Sequence, residues 1–297
     1  MRIGLFVNEL GVTVDQMAAE ARAAAQRFGT VWTGQRHGLD ALTALAVLGR
    51  EVPGVRLGVS VTPTYPRHPV ALAAQARTVT SAIGDRLDLG IGVSHRYLMQ
   101  DRLGFSFERP ARHLREYLTA LMPLLRGESV CYRGETLTAV GELDVPGAAV
   151  PSVLVGTTGP AMLRVAGELA DGVISIWAGA ATLAEYIVPA VTKADRAPRV
   201  VSQQLVCVTA DPDDRRAEIA REFGAAAQVP AYAAIFEREG AAGPQDTILL
   251  GDEAAVTAQL TQLFDAGATE VMAIPIGPPE DRARTLALLH SLTTPGK

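Results

Sequence analysis

The stretch from Pro151 to Trp177, PSVLVGTTGPAMLRVAGELADGVISIW, limits this chain more than any other. Val153-Leu154-Val155 is a short apolar run of the kind that forms a strand buried on both faces. Gly156-Thr157-Thr158-Gly159-Pro160 follows, then an amphipathic helix from Ala161 to about Ala170, which Asp171-Gly172 breaks. Val173 to Trp177 reads as the next buried strand. Strand, loop, helix and strand in that order call for a parallel pair joined by a right-handed crossover. The loop carries the chemistry. Its small residues let the backbone approach a ligand, Pro160 sits where a first-turn proline is tolerated, and the helix N-terminus offers free N–H groups to an anion. A tight turn with nothing bound explains the same residues, because glycine also serves packing.

The rest of the chain repeats this unit. Strands are expected at Ile3 to Val7, Val31 to Thr33, Val55 to Val61, Arg86 to Val93, Val200 to Val208 and Glu270 to Ile276, almost every one followed by a helix. With the two strands of the central unit this makes eight. An open doubly wound sheet is the alternative, but so regular an alternation at 297 residues suits closure into a (β/α)8 barrel of the TIM type. No composition break marks a boundary, so residues 1–297 read as one domain with two insertions. One insertion is a hairpin at Ser129 to Leu137 turning at Arg133-Gly134; the other is a pair of helices after strand seven, at Asp213–Phe223 and Val229–Glu239.

Composition excludes several classes of function. A net charge of −5 and the lack of a basic tract speak against a nucleic-acid or membrane surface. No apolar run approaches a membrane span, and Arg2 to Val7 begins as a strand rather than a signal peptide. Cys131 and Cys207 share no motif with each other or with a histidine, which fits a reduced cytoplasmic setting.

Functional groups of such a barrel lie at the C-terminal ends of its strands. That rule collects Asn8, Gln35 and His37, Thr62 and Thr64, Ser94 and His95, Gly156 to Gly159, and Trp177. No metal spacing, paired acids or GxSxG accompany them. Gly90-Ile91-Gly92 lacks the third glycine of a dinucleotide fingerprint. His113 to Glu116 reads as a solvated helix face and His68 as a residue that orders a turn. Amides, hydroxyls, glycines and one or two histidines suit a cofactor that carries its own reactivity.

At these residues the chain resembles the luciferase-like monooxygenase superfamily, within it the oxidoreductases that use the deazaflavin coenzyme F420. The segments are Gly38 to Leu45, Arg67-His68-Pro69, Arg86 to Gly92, Phe107 to Pro110, and Gly159 to Leu163 through Ala170-Asp171-Gly172. Members related to methylenetetrahydromethanopterin reductase are most similar, through Ser94 to Tyr97 and Glu108-Arg109-Pro110. The resemblance implies a homodimeric barrel with F420 at its mouth, a small organic substrate and hydride transfer. It places a non-prolyl cis peptide behind the ring at Ser60-Val61 or the peptide next to it, and the cofactor phosphate at Gly156 to Pro160.

The implied cofactor contacts are Gln35, Ser60, Val61, Thr62, Val93, Ser94, His95, Gly156, Thr157, Thr158, Gly159 and Pro160, with His95 or His37 as the acid–base group. Sugar-phosphate dehydrogenases of the family carry an acidic–histidine pair after strand two and a glutamate after strand four. Gln35-Arg36-His37 and His95 stand in those places here, which argues against a glucose-6-phosphate dehydrogenase role. The rival readings are a flavin mononucleotide (FMN) monooxygenase on the same barrel and a non-catalytic cofactor-binding barrel.

Overall fold

The computed structural model describes residues 1–193 and 197–293. Among them, eight parallel strands form the barrel: β1 (Ile3–Phe6), β2 (Thr30–Thr33), β3 (Arg56–Pro63), β4 (Leu87–Gly92), β5 (Ser152–Gly156), β6 (Gly172–Ile176), β7 (Arg199–Val208) and β8 (Glu270–Pro275). Each pairs with the next, and β8 returns to β1 through Ile3 opposite Val271, so the expected barrel closes. Between Val59 and Thr62 the β3–β4 register shifts, and the Ser60-Val61 peptide within that bulge is cis, as the resemblance implied.

The helices start where local chemistry allows. Thr13 and Gln16 form a capping box on α1 (Val14–Ala25), and Asp40 accepts from Thr43 N–H at the head of α2 (Ala41–Glu51). His68 accepts from Val70 N–H to open α3 (Pro69–Ile83), and its other ring nitrogen lies 2.8 Å from Thr138 O, so it orders the turn as expected. Proline occupies the first turn of α4 (Pro110–Arg126) and α5 (Pro160–Leu169). After β6, residues 180–191 are helical, with a π-helical turn at Leu183–Ile187. The insertion after β7 comprises α6 (Pro212–Phe223) and α7 (Pro230–Glu239), bridged by a 3₁₀ turn at Gly224–Gln228. A three-residue strand, Leu249–Gly251, then pairs with the end of β7 before α8 (Glu253–Asp265), and α9 (Pro279–Leu292) follows β8.

The hairpin differs from its expected form. Its strands are Val130–Arg133 and Thr138–Gly141, and the turn occupies 134–137 rather than Arg133-Gly134. The cause is Glu116 on α4. Its buried carboxylate accepts from Glu135 N–H, Thr136 N–H and Thr136 Oγ1 at 3.1, 2.8 and 2.7 Å, which shapes the longer turn. Glu116 is therefore not on a solvated face.

The barrel interior is layered. Trp32, wholly buried, fills the bore together with Leu154, Ile174, Val201 and Met272. Its indole fits because β1 and β3 offer glycine: a Cβ on Gly58 would lie 2.2 Å from the ring and one on Gly4 2.7 Å from Nε1. That N–H donates to Glu270 at 2.8 Å. Below it the N-terminal ends of the strands are tied by charge. Arg199 forks onto both oxygens of Asp88, at 2.8 and 2.9 Å, and lies 3.3 Å from Glu270. Arg56 reaches Asp88 at 2.9 Å and Arg2 reaches Glu270 at 3.0 Å. Burial alone would raise the Asp88 carboxyl, but the hydrogen bonds and charges of Arg199 and Arg56 outweigh it and hold it below the usual carboxylate range.

Removing the central guanidinium would leave Asp88 and Glu270 buried with less compensation. Arg199→Ala should therefore lower stability by about 3–5 kcal/mol, measured as the free energy of urea unfolding. Stability within about 1 kcal/mol of wild type would mean that the barrel floor does not depend on this residue.

Candidate functional site

A cavity of about 650 Å³ opens at the C-terminal ends of the strands. Its wall brings together Ser60 and Val61 from the β3 bulge, Val93 to His95 after β4, and Gly156 to Gly159 after β5, with Asn8 and Trp177 from the first and sixth loops. Val61 is central to its construction. A Cβ on Gly92 would come within 2.8 Å of Val61, and one on Gly156 within 2.7 Å, so the bulge fits only because β4 and the next strand, β5, both end in glycine. Ser60 Oγ donates across the bore to Gln203 Oε1 on β7 at 2.8 Å.

The loop after β5 leads into α5, whose first turn carries no side-chain cap among the described residues. Pro160 has no N–H to offer, and the Gly159 N–H turns back to Thr157 Oγ1 at 3.2 Å. Ala161 and Met162 supply the uncapped N–H groups of the first helical turn, at the positive end of the helix dipole.

Among the described residues two that are not glycine, Ser94 and Trp177, have left-handed backbone with φ of 62° and 63°, and both line the cavity. Trp177 is 6% exposed, packs on Phe223 and Phe236 of the insertion, and its indole N–H is buried without an acceptor among the described residues. His95, half-buried, has its Nε2 3.1 Å from Tyr232 Oη. Desolvation lowers its pKa, which favours the neutral imidazole.

Three expected contacts, and His37 as the alternative acid–base group, lie outside the cavity wall. Gln35 spends its side-chain oxygen on Ala41 N–H at 2.8 Å, capping α2. His37 is exposed and outside the cavity wall, because its neighbour Arg36 takes the inward position. Arg36 pairs there with buried Glu9 at 2.6 Å and with Asn8 at 2.8 Å. Thr62 is buried behind the wall, and Pro160 lies within α5. Thr64 faces a different group, 3.1 Å from His113 Nε2.

His113 itself departs from expectation. It is 7% exposed, stacked on Tyr65 at 3.9 Å between centroids, and burial pushes its pKa down to about 4 against a weaker pull upward by Glu116. Arg112 and Arg115 beside it are exposed, so the local charge pattern hides the buried stripe. Sequence reasoning also missed Glu9, Arg36, Gln203, Phe223 and Tyr232. Only Glu9 and Arg36, next to expected loop residues, had a signal that could have found them.

The sequence matches the profile of the luciferase-like monooxygenases over residues 5–294. A Mycobacterium tuberculosis protein provisionally named a coenzyme F420-dependent oxidoreductase is 34% identical over 194 residues, which cover 60% of this chain and 56% of that protein. The 5,10-methylenetetrahydromethanopterin reductase of Methanolobus tindarius is 28% identical over 295 residues, covering 88% of this chain and 90% of the reductase. An F420-dependent secondary alcohol dehydrogenase, solved in complex with an F420-acetone adduct, matches with a TM-score of 0.81 over 98% of this chain and 97% of its own. At 16% identity that likeness is one of fold.

The depressed His113 pKa sets the sign of a pH effect. Neutral His113 contributes stability that is present above its ordinary value of 6.5 and is lost as pH falls through about 4, because the unfolded chain takes up the proton first. In His113→Phe, which keeps a ring against Tyr65 and titrates nothing, the drop in melting temperature across that window should be smaller than in wild type. An identical drop in both proteins would contradict the assignment.

Proposed function

The chain belongs to the luciferase-like monooxygenase family, and on that footing we propose that it is an oxidoreductase using coenzyme F420 to pass a hydride to or from a small organic substrate. The observation that carries this reading is the joining, in one cavity, of the Val61 bulge on its glycine-lined strands with the uncapped start of α5. The first suits a planar ring and the second a phosphate. The name of the Mycobacterium relative supports the same cofactor over FMN.

The donor set fits such a group. Ser60, Val61, Gly92 and Gly156 would back its ring, and the Ala161 and Met162 N–H groups would hold its phosphate with help from the helix dipole. When bound, the deazaflavin supplies the carbon that accepts or releases the hydride. The chain's own part is placement and proton handling. Phe223, Tyr232 and Trp177 cover the cavity with aromatic surface that limits water, and the Trp177 N–H offers a donor to an acceptor on a bound molecule. His95 is the group at this wall that would hold or move a proton. His37, exposed and outside the wall, has no such role in this reading. We place the protein in the cytoplasm as a homodimer, a reading that its free cysteines Cys131 and Cys207 and the family resemblance support.

Fluorescence titration should show F420 binding at least about tenfold more tightly than FMN, a difference of about 1.4 kcal/mol. Tighter binding of FMN would overturn the cofactor assignment while leaving the fold intact.

Gly159→Asp tests the phosphate site separately. Gly159 has φ of −77° and ψ of 139°, and a Cβ there meets only the end of Met162 at 3.4 Å, so aspartate fits. It would act as an N-cap and leave the melting temperature unchanged or raised. Its carboxylate would nonetheless repel a phosphate, and F420 affinity should fall at least about tenfold. Wild-type affinity in a folded Gly159→Asp protein would place the phosphate elsewhere.

A further inference from the structure

We propose that Tyr232, on the helical insertion after β7, is a positioning residue for His95: its hydroxyl donates to Nε2 and holds the imidazole in the Nδ1–H tautomer. The proposal rests on the reading of His95 as the proton-handling group of the site. The two residues are 137 positions apart in the chain, and the contact joins the β4 loop to α7. The phenol meets the imidazole edge-on, with centroids 5.1 Å apart and planes at 76°, while Tyr97 stacks on the imidazole at 5.8 Å and 10°. Two aromatic rings thus limit how the imidazole can turn, and one polar atom meets one of its nitrogens.

The direction of the hydrogen bond follows from chemistry. A neutral imidazole has one donor and one acceptor nitrogen, and the partner of one nitrogen decides the state of the other. A phenol O–H is a stronger acid than an imidazole N–H, and the pyridine-type nitrogen is the stronger base of the pair. The favoured arrangement is therefore O–H to Nε2, leaving Nδ1–H as the donor of the ring. Desolvation keeps His95 neutral, and burial pushes the Tyr232 hydroxyl up to about 12, so both hold the required protonation at neutral pH.

The insertion is fastened so that this contact persists. Glu239, at the end of α7, accepts the Gly179 N–H at 2.6 Å. Arg238 lies over the Tyr186 ring at 3.9 Å, and Phe236 packs on Trp177. Tyr232 is thus carried on a helix tied to the loop after β6. The second helix of the insertion places one specific hydroxyl at the reaction site.

The tautomer can be read without cofactor or substrate. Long-range ¹H–¹⁵N spectra of histidine-labelled protein at neutral pH should show one ring with a protonated Nδ1 and an unprotonated Nε2, identified by its loss in His95→Gln. Tyr232→Phe, which keeps the ring and removes the hydroxyl, should shift that signal toward a mixture of tautomers. An Nε2–H tautomer in wild type, or a spectrum unchanged in Tyr232→Phe, would overturn the proposal. F420 titration of the same variant should give a dissociation constant within about threefold of wild type.

With F420 and a panel of secondary alcohols and ketones, Tyr232→Phe should lower kcat about tenfold and leave KM for F420 nearly unchanged. The double variant with His95→Ala should be no slower than His95→Ala alone, because the hydroxyl acts through the imidazole. Multiplying losses in the double variant would also overturn it. If wild type failed to bind F420, the function proposed above would fall, while the tautomer result would still decide the Tyr232–His95 pairing.

Discussion

The barrel is held by a cluster of charges at its floor. Arg199 joins the starts of β7, β4 and β8 through Asp88 and Glu270, while Arg56 brings in β3 and Arg2 reaches Glu270 from just ahead of β1. Trp32 extends the cluster to β2 through its N–H. Residues on or beside six of the eight strands thus share one hydrogen-bonded network. Buried ions are a poor source of net stability, because desolvation offsets much of their attraction. What this network supplies is geometry: two carboxylates that must each find particular guanidinium partners define which strand ends meet.

The mouth is built on a different principle. Val61, Ser94, His95 and the β5 loop give its wall no charge, although Glu20, Glu222 and Arg282 also line the cavity, and an ionic pair at its border, Glu9 with Arg36, staples the first loop to the second. Burial raises the Glu9 carboxyl, but the hydrogen bonds and charge of Arg36 outweigh this and keep it ionised. Closure depends on one end of the barrel and chemistry on the other. Asp40 links two segments that carry the resemblance in the same way, since it caps α2 and also pairs with Arg67 before α3.

All eight barrel strands were legible in the sequence because each is an apolar run too short for a helix and punctuated by glycine, proline or a cap. Leu249–Gly251 was not, since three residues hold no period. Site residues next to strand ends were legible for the same topological reason, and Ser60, Val61, Ser94, His95 and Gly156 to Gly159 do share one wall. Gln203 and Tyr232 were not, because their partners Ser60 and His95 lie 143 and 137 residues away and no local pattern records such contacts. Gln35 and His37 show the converse. Proximity to a strand end does not decide whether a loop side chain turns inward or caps a helix.

The Ser60–Gln203 hydrogen bond has a consequence for the electric field at the mouth. It spans the bore between opposite strands, and beneath it lies the apolar layer of Trp32, Leu154, Ile174, Val201 and Met272. Anything seated against Val61 therefore rests on a thick slab of low polarisability, with solvent on one side only. Field lines from a charge there are driven sideways into the loops instead of being absorbed from below. A change of one hydroxyl or imidazole in that rim acts at longer range than the same change on the outer helices, where water surrounds it.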